Sequence, residues 1–302
     1  MKWRQAGFTL VEIAVVLLIV TILLGYTIAL FPRQQELKQY NAVEKDMDRI
    51  AEAIIAFAQV NGRLPCPAIP NSVGAEAGGG GAECTNFGGF VPVNTLGLAG
   101  RLNGDSLMLD PWSAPYRYYV TGRTGTFTAA GVASVPAVLL DQDASGNSDF
   151  VVNTEMRNIG LVDSDADNYL DLDGQYIICD QADARLNDEC EAPATMVFGN
   201  FSDHGGPYGG AVFVLVSHGK NNRPGLAQGD ELVNMGANTS DAITTRMAQG
   251  PMGVDYRIKD IEVGDTTFVR RPTGFADDFD DVIFWVSPNV LYSRMIAAGQ
   301  LP

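Results

Sequence analysis

The chain has 302 residues, of which 46% are hydrophobic, so it can build a sizeable core and is not a disordered protein. Its formal net charge of -16, from 36 acidic and 20 basic residues, disfavours attraction to nucleic acid or to an anionic membrane surface. The 33 glycines and 15 prolines, with little helical periodicity after about residue 60, predict many turns and short strands.

The amino end carries an apolar run at residues 13–31, broken only by two threonines and a glycine. A run of this length predicts a helix that spans a bilayer, and Lys2 and Arg4 in front of it favour a cytoplasmic amino end. A cleaved secretory signal is the alternative. Such a signal would normally have a shorter apolar region that ends at a small-residue cleavage site, and the sequence shows no such site.

Glu12 lies at the edge of this run, where a carboxylate is costly unless a partner neutralises it. The segment from Lys2 to Glu12 has a short basic leader, then Gly7, then Phe-Thr-Leu-Val-Glu. It resembles the processing signal of type IV prepilins and type II secretion pseudopilins. The resemblance implies that a prepilin peptidase cuts between Gly7 and Phe8 and methylates the new amino group of Phe8. It also implies that Glu12 pairs with the terminal amine of a neighbouring subunit, since the two charges neutralise each other in lipid.

Beyond residue 31, apolar residues recur at three- and four-residue spacing and predict an amphipathic stripe on a continuing helix. The stripe consists of Leu37, Tyr40, Val43, Met47, Ile50, Ile54 and Phe57. Pro32 can kink this helix, and a separate helix after a loop is the alternative. The predicted organisation is a leader at 1–7, a transmembrane and filament-core helix at 8–31, an amphipathic helix at 32–61 and a β-rich head at 62–302.

The four cysteines form two local couples, Cys66 with Cys84 and Cys179 with Cys190, each closing a modest loop. Such couples are typical of proteins that fold in an oxidising compartment. Four cysteines allow three connectivities, and the spacing favours the local pairing without proving it.

Short apolar and aromatic runs bounded by turn residues predict strands of a largely antiparallel sheet. These runs lie at 116–120, 135–140, 176–179, 212–217, 257–263 and 282–286. Ser287 and Pro288 then predict the start of a short helix over 290–298, which Gly299 ends.

Two parts of the head resemble major type II secretion pseudopilins. The segment from Asp110 to Tyr116 is similar to their Asp-Pro-Trp-Gly-x-Pro-Tyr segment, with Ser113 in place of the usual Gly. Residues 216–221 and 280–285 look like their C-terminal Ser-x-Gly and Asp-Ile-x-x-Trp region. The resemblance implies an α+β pilin-like fold, in which a long N-terminal helix packs against an antiparallel sheet. The extra length at 120–210 and 225–275 favours a large minor or specialised subunit.

An acidic segment at 163–173 has carboxylates at the spacing of a calcium-binding loop, where alternate side chains converge on one cation. The ligand candidates are Asp163, Asp165, Asp167 and Asp171. Asn168 replaces the turn glycine and Gly174 replaces the bidentate Glu, so a solvated acidic loop is the alternative. Residues 141–149 contain a second, shorter version of the pattern.

A further calcium site is implied by the resemblance alone, because major pseudopilins bind calcium in their C-terminal region. That region corresponds here to Ser217, Asn221, Asp280 and Asp281. Asn221 stands where the family has an acidic ligand, and a long insertion precedes Asp280.

The sequence as a whole predicts a structural subunit of a type IV pilus or type II secretion pseudopilus, and not an enzyme. The expected partners are other pilin or pseudopilin subunits, prepilin peptidase and the inner-membrane assembly platform, with no nucleic acid. The expected location is the bacterial inner membrane, as a single-pass protein with a periplasmic head, and then the filament. One alternative is a calcium-dependent adhesin or binding module at a filament tip. Another is an anchored enzyme using His204 or His218, although neither histidine has zinc-site spacing and a Gly-x-Ser-x-Gly motif is absent.

Overall fold

The computed structural model describes the N-terminal helix and the framework of the head. The described residues are 9–78, 84, 86–121, 150–151, 156, 174, 176–180, 190, 196–198, 200–201, 207–208, 210–220, 230–235, 267–271 and 279–301. The chain divides into two compact units, Met1–Ala42 and Val43–Pro302. The division falls inside the segment predicted as the amphipathic helix, so the second half of that segment belongs to the head unit.

In chain order, the described helices are α1 Leu10–Asn61, α2 Val93–Leu96, α3 Asp230–Met235 and α4 Pro288–Ala297, with a 3-10 turn at Pro70–Ser72. The described strands are β1 Gly88–Phe90, β2 Arg117–Val120, β3 Ile177–Cys179, β4 Met196–Phe198, β5 Asn200–Phe201, β6 Pro207–Tyr208, β7 Phe213–Ser217, β8 Thr267–Val269 and β9 Val282–Val286.

Helix α1 runs without a break through Pro32, so the prediction of one continuous helix is confirmed and the alternative of two helices is wrong. Within the head unit, most of the predicted stripe is buried: Val43, Ile50 and Ile54 have no exposed surface, whereas Phe57 is half-buried. The helix ends at Asn61 because Gly62 adopts a left-handed backbone with φ 70°, which favours glycine.

A four-stranded antiparallel sheet, in the order β1-β2-β7-β9, forms the centre of the head. Three of its strands were predicted from the sequence, and the α+β fold class is confirmed. Strand β1 was missed because Gly88 and Gly89 give it no alternating apolar pattern. The glycine is required there, since a Cβ on Gly89 would lie 2.6 Å from the carbonyl oxygen of Ala68.

A second sheet, in the order β4-β3-β8, packs against the first through aromatic side chains. The ring of Phe268 on β8 lies 5.0 Å from the ring of Tyr119 on β2 and 5.5 Å from that of Tyr176. Strands β3 and β8 pair in parallel, which departs from the otherwise antiparallel pattern. The predicted strands at 135–140 and 257–263 lie outside the described residues.

Helix α4 begins as the sequence predicted. The hydroxyl of Ser287 accepts a hydrogen bond from the backbone N–H of Val290 at 3.4 Å, and Pro288 occupies the first turn. Gly299, with φ 71°, follows the helix. An exposed ion pair of 3.1 Å between Arg294 and Glu52 joins α4 to α1.

Both predicted disulfides are present, Cys66 with Cys84 and Cys179 with Cys190. Their Cα atoms lie 5.4 and 5.6 Å apart, within the usual range for a disulfide. No cysteine of the chain is free.

Candidate functional site

The N-terminal candidate site lies at the start of α1. Gly7 and Phe8, the predicted cleavage residues, lie outside the described residues. Thr9 precedes the helix, and its hydroxyl accepts a hydrogen bond from the backbone N–H of Glu12 at 3.3 Å. In return the Glu12 carboxylate accepts from the backbone N–H and the hydroxyl of Thr9, each at 3.4 Å. This is a capping box, which the Thr-x-x-Glu spacing in the sequence could have revealed.

The helix that follows Glu12 presents apolar side chains to the outside. Between Leu10 and Leu24, the exposed fractions of the large apolar side chains range from 42% for Val20 to 87% for Leu10. Glu12 is the only acidic residue in the first turn. Of the helices whose residues are described, none is long and apolar enough to cross a membrane.

A second candidate site is a buried acidic cluster in the head, formed by Glu231, Asp280 and Asp281. Asp280 and Asp281 immediately precede β9, which pairs antiparallel with β7. The segment after β7 therefore meets the two aspartates at the same end of the sheet. Gly219 in that segment has φ 60°, and a Cβ there would lie 2.6 Å from the carbonyl oxygen of Asp280. Only glycine allows this close approach.

Helix α3 supplies Glu231, the third member of the cluster. One carboxylate oxygen from each of the three residues lies within 4.8 Å of the others, and all three residues are buried. The backbone N–H of Asp280 donates to Oε1 of Glu231 at 2.8 Å. The sequence did not indicate Glu231, because it lies 49 residues before Asp280 without any spacing pattern that links the two.

The cluster carries an electrostatic cost. Burial, together with the negative charges of Asp281 and Glu231, raises the pKa of Asp280 to about 7. Burial also raises the pKa of Asp281 to about 7, although a hydrogen bond from Asn234 and the charge of Arg117 oppose the shift. Two oxygens bound to one calcium ion at about 2.3–2.6 Å are at most about 5 Å apart, so the three carboxylates suit one cation of this size.

Asn234 on α3 connects the cluster to the second sheet. Its Nδ2 donates to Oδ2 of Asp281 at 2.8 Å and to the carbonyl oxygen of Val269 at 2.9 Å. Its Oδ1 accepts from the backbone N–H of Val269 at 2.7 Å. The other oxygen of Asp281 lies 3.2 Å from Nδ1 of His218, which is fully buried after β7. Fixed partners thus hold both oxygens of Asp281.

Ser217 and Asp110 join the two head segments that resemble pseudopilins. The Ser217 hydroxyl donates to Oδ2 of Asp110 at 2.7 Å, while Oδ1 accepts from the backbone N–H groups of Trp112 and Ala114, both at 2.9 Å. Burial raises the pKa of Asp110 to about 6 despite these hydrogen bonds. Ser113 adopts φ 74°, which explains why glycine is usual at this position.

Asn221 and the acidic loop with Asp163, Asp165, Asp167 and Asp171 lie outside the described residues. His204 does too.

Comparison with known families gives one match. Residues 4–28 match the prokaryotic N-terminal methylation motif. The chain carries the type IV pilin and pseudopilin signal. No curated protein and no solved structure matches the chain.

The pilin signal accounts for the residues at the amino end. It marks the chain as a pilin-like or pseudopilin-like substrate of prepilin peptidase. It also indicates a structural subunit. Glu12 lies within the matched segment, next to the apolar residues that α1 exposes.

In the absence of divalent cations, we expect the head to lose stability as the pH rises from about 4 to about 7. Asp110, Asp280 and Asp281 have higher pKa values in the folded chain than the usual value of about 3.9. The folded chain therefore binds more protons than the unfolded chain in this window, so raising the pH favours unfolding. Thermal unfolding in chelator at about pH 5 and about pH 7.5 measures the effect.

Asp281→Asn should reduce this pH dependence because it removes one buried ionisable group. Asp105→Asn, which changes an exposed carboxyl, is the control and should leave it unchanged. A melting temperature that rises with pH in the unmutated chain would contradict the raised pKa values.

Proposed function

We propose that the chain is a structural subunit of a type IV pilus or type II secretion pseudopilus. The observation that carries the proposal is the processing signal at 4–28, followed by a helix that exposes its apolar side chains. Exposed apolar surface of this extent is unfavourable in water, so it requires lipid or the matching helices of other subunits. The subunit is stored in the bacterial inner membrane, with a cytoplasmic amino end and a periplasmic head.

In the proposed mechanism, prepilin peptidase removes residues 1–7 and methylates Phe8. The assembly platform then moves the subunit from the membrane into a filament. A filament grows when one surface of a subunit docks on a different surface of the next with a rotation that does not close. Glu12 pairs with the terminal amine of the neighbouring subunit and so neutralises both charges in an apolar surrounding. The two disulfides suit a head exposed to an oxidising compartment.

Gly7→Leu should leave the chain at full length, because the bulky side chain stands where the peptidase requires glycine. The unprocessed chain should also be absent from filaments sheared from cells. Intact-mass spectrometry and recovery in the sheared fraction are the two measurements. Ala6→Ser, one residue upstream, is the control and should be shortened and recovered like the unmutated chain. A shortened Gly7→Leu product would overturn the cleavage site. If the unmutated chain is cleaved normally but is not recovered in sheared filaments, the filament role is wrong.

We further propose that the head binds calcium, which would suit either a filament subunit or an adhesin at a filament tip. The convergence of Glu231, Asp280 and Asp281 supports this proposal, because a divalent cation would relieve the repulsion among three buried carboxylates. The acidic loop with Asp163, Asp165, Asp167 and Asp171 is a second candidate position. Ser217 and Asn221, which the pseudopilin resemblance implies, are further candidate ligands.

Calcium at about a hundred times its dissociation constant should stabilise the full-length chain in detergent by about 2.7 kcal/mol for one site. Thermal unfolding with calcium and with chelator measures the shift. Glu231→Gln should abolish the shift if the cluster is the site, whereas Asp165→Asn should abolish it if the loop is the site. If the unmutated chain has the same melting temperature with calcium and with chelator, the proposal is wrong at both positions.

A further inference from the structure

One carboxylate, Glu76, fixes the loop between α1 and β1. The Arg63 guanidinium donates to both of its oxygens, from Nη1 to Oε2 at 2.9 Å and from Nη2 to Oε1 at 2.8 Å. Oε2 also accepts from the backbone N–H of Cys66 at 3.0 Å. The side chains of Arg63 and Glu76 are only 7% and 17% exposed, so water competes little for this two-pronged ion pair.

The residues around Glu76 also reach the second cysteine of the loop. Ala68, two residues after Cys66, forms a β-bridge with Glu76, and the backbone N–H of Ala77 donates to Pro67 at 3.1 Å. Gly78 in turn forms a β-bridge with Cys84. Segment 76–78 therefore links the backbone near Cys66 to the backbone near Cys84. The Cα atoms of the two cysteines lie 5.4 Å apart.

The ion pair is anchored on both sides without using either sulfur atom. The Arg63 guanidinium lies 5.1 Å from the centre of the Phe57 ring on α1, and it also donates to the carbonyl oxygen of Leu64 at 3.0 Å. The hydroxyl of Thr95 on α2 accepts from the backbone N–H of Glu76 at 2.9 Å. These contacts remain available while Cys66 and Cys84 are reduced.

We propose that Glu76 is a positioning residue for oxidation of the Cys66–Cys84 pair. The Arg63–Glu76 ion pair folds the loop first and raises the effective concentration of one thiol at the other. One thiolate then attacks a disulfide oxidant such as oxidised glutathione and expels one reduced glutathione. The second thiolate attacks the mixed disulfide and expels the other. The two thiols lose two protons, and two electrons pass to the oxidant.

The test is a redox titration of the full-length chain in detergent with mixtures of reduced and oxidised glutathione. Alkylation of free thiols, followed by peptide mass spectrometry, measures each disulfide separately. Glu76→Gln should lower the effective concentration for Cys66–Cys84 by about tenfold, as expected for lost hydrogen bonds to a charged group. Cys179–Cys190 in the same molecule is the internal reference and should not change.

Glu52→Gln is the matched control, because it removes the exposed ion pair with Arg294 and should leave both disulfides unchanged. Arg63→Lys keeps the positive charge but loses the two-pronged geometry, so it should give a smaller decrease for Cys66–Cys84. If Glu76→Gln does not fold, Arg63→Lys tests the proposal in its place. The proposal would be overturned if the effective concentration for Cys66–Cys84 were unchanged in the folded variants. It would also be overturned if the effective concentrations for both disulfides fell equally.

Discussion

Helix α1 is subject to two opposite solvent requirements along one continuous backbone. From Val43 to Ala58, its apolar stripe is buried in the head, as in any soluble domain. From Leu10 to Leu24, the apolar side chains are exposed, and leaving them in water costs about 25 cal/mol for each Å². This contrast supports the proposed function, in which lipid covers the exposed part before assembly and other subunits cover it afterwards.

The second constraint is the cost of burying three carboxyl groups close together in the head. Asp280, Asp281 and Glu231 are held together by the end of the β7–β9 pair and by α3, at a separation that one cation could bridge. Asn234 transmits the position of Asp281 to Val269 on β8, and β8 pairs with β3 next to the Cys179 disulfide. Neutralising the cluster would therefore support both sheets as well as its own loop.

The sequence predicted features that depend on local pattern. The stripe on α1, the Ser287 cap and both disulfides depend on residue types at short, regular spacing along the chain. Glu231 and the parallel pairing of β3 with β8 were missed, because each depends on contacts between residues far apart in sequence. The capping box of Thr9 and Glu12 was also missed, although its four-residue pattern is visible.

Glu12→Gln is the most direct test of the proposed assembly, because Glu12 caps α1 and is also the residue proposed to pair with the terminal amine of the next subunit. Glutamine can replace glutamate in a capping box, so the variant keeps the start of α1 but loses the charge. The chain should be cleaved after Gly7 and fold normally, yet be depleted from sheared filaments when it competes with unmutated chain. Glu44→Gln, which changes another exposed carboxylate of α1, should be incorporated normally. Equal incorporation of Glu12→Gln and unmutated chain would contradict charge pairing as the basis of assembly.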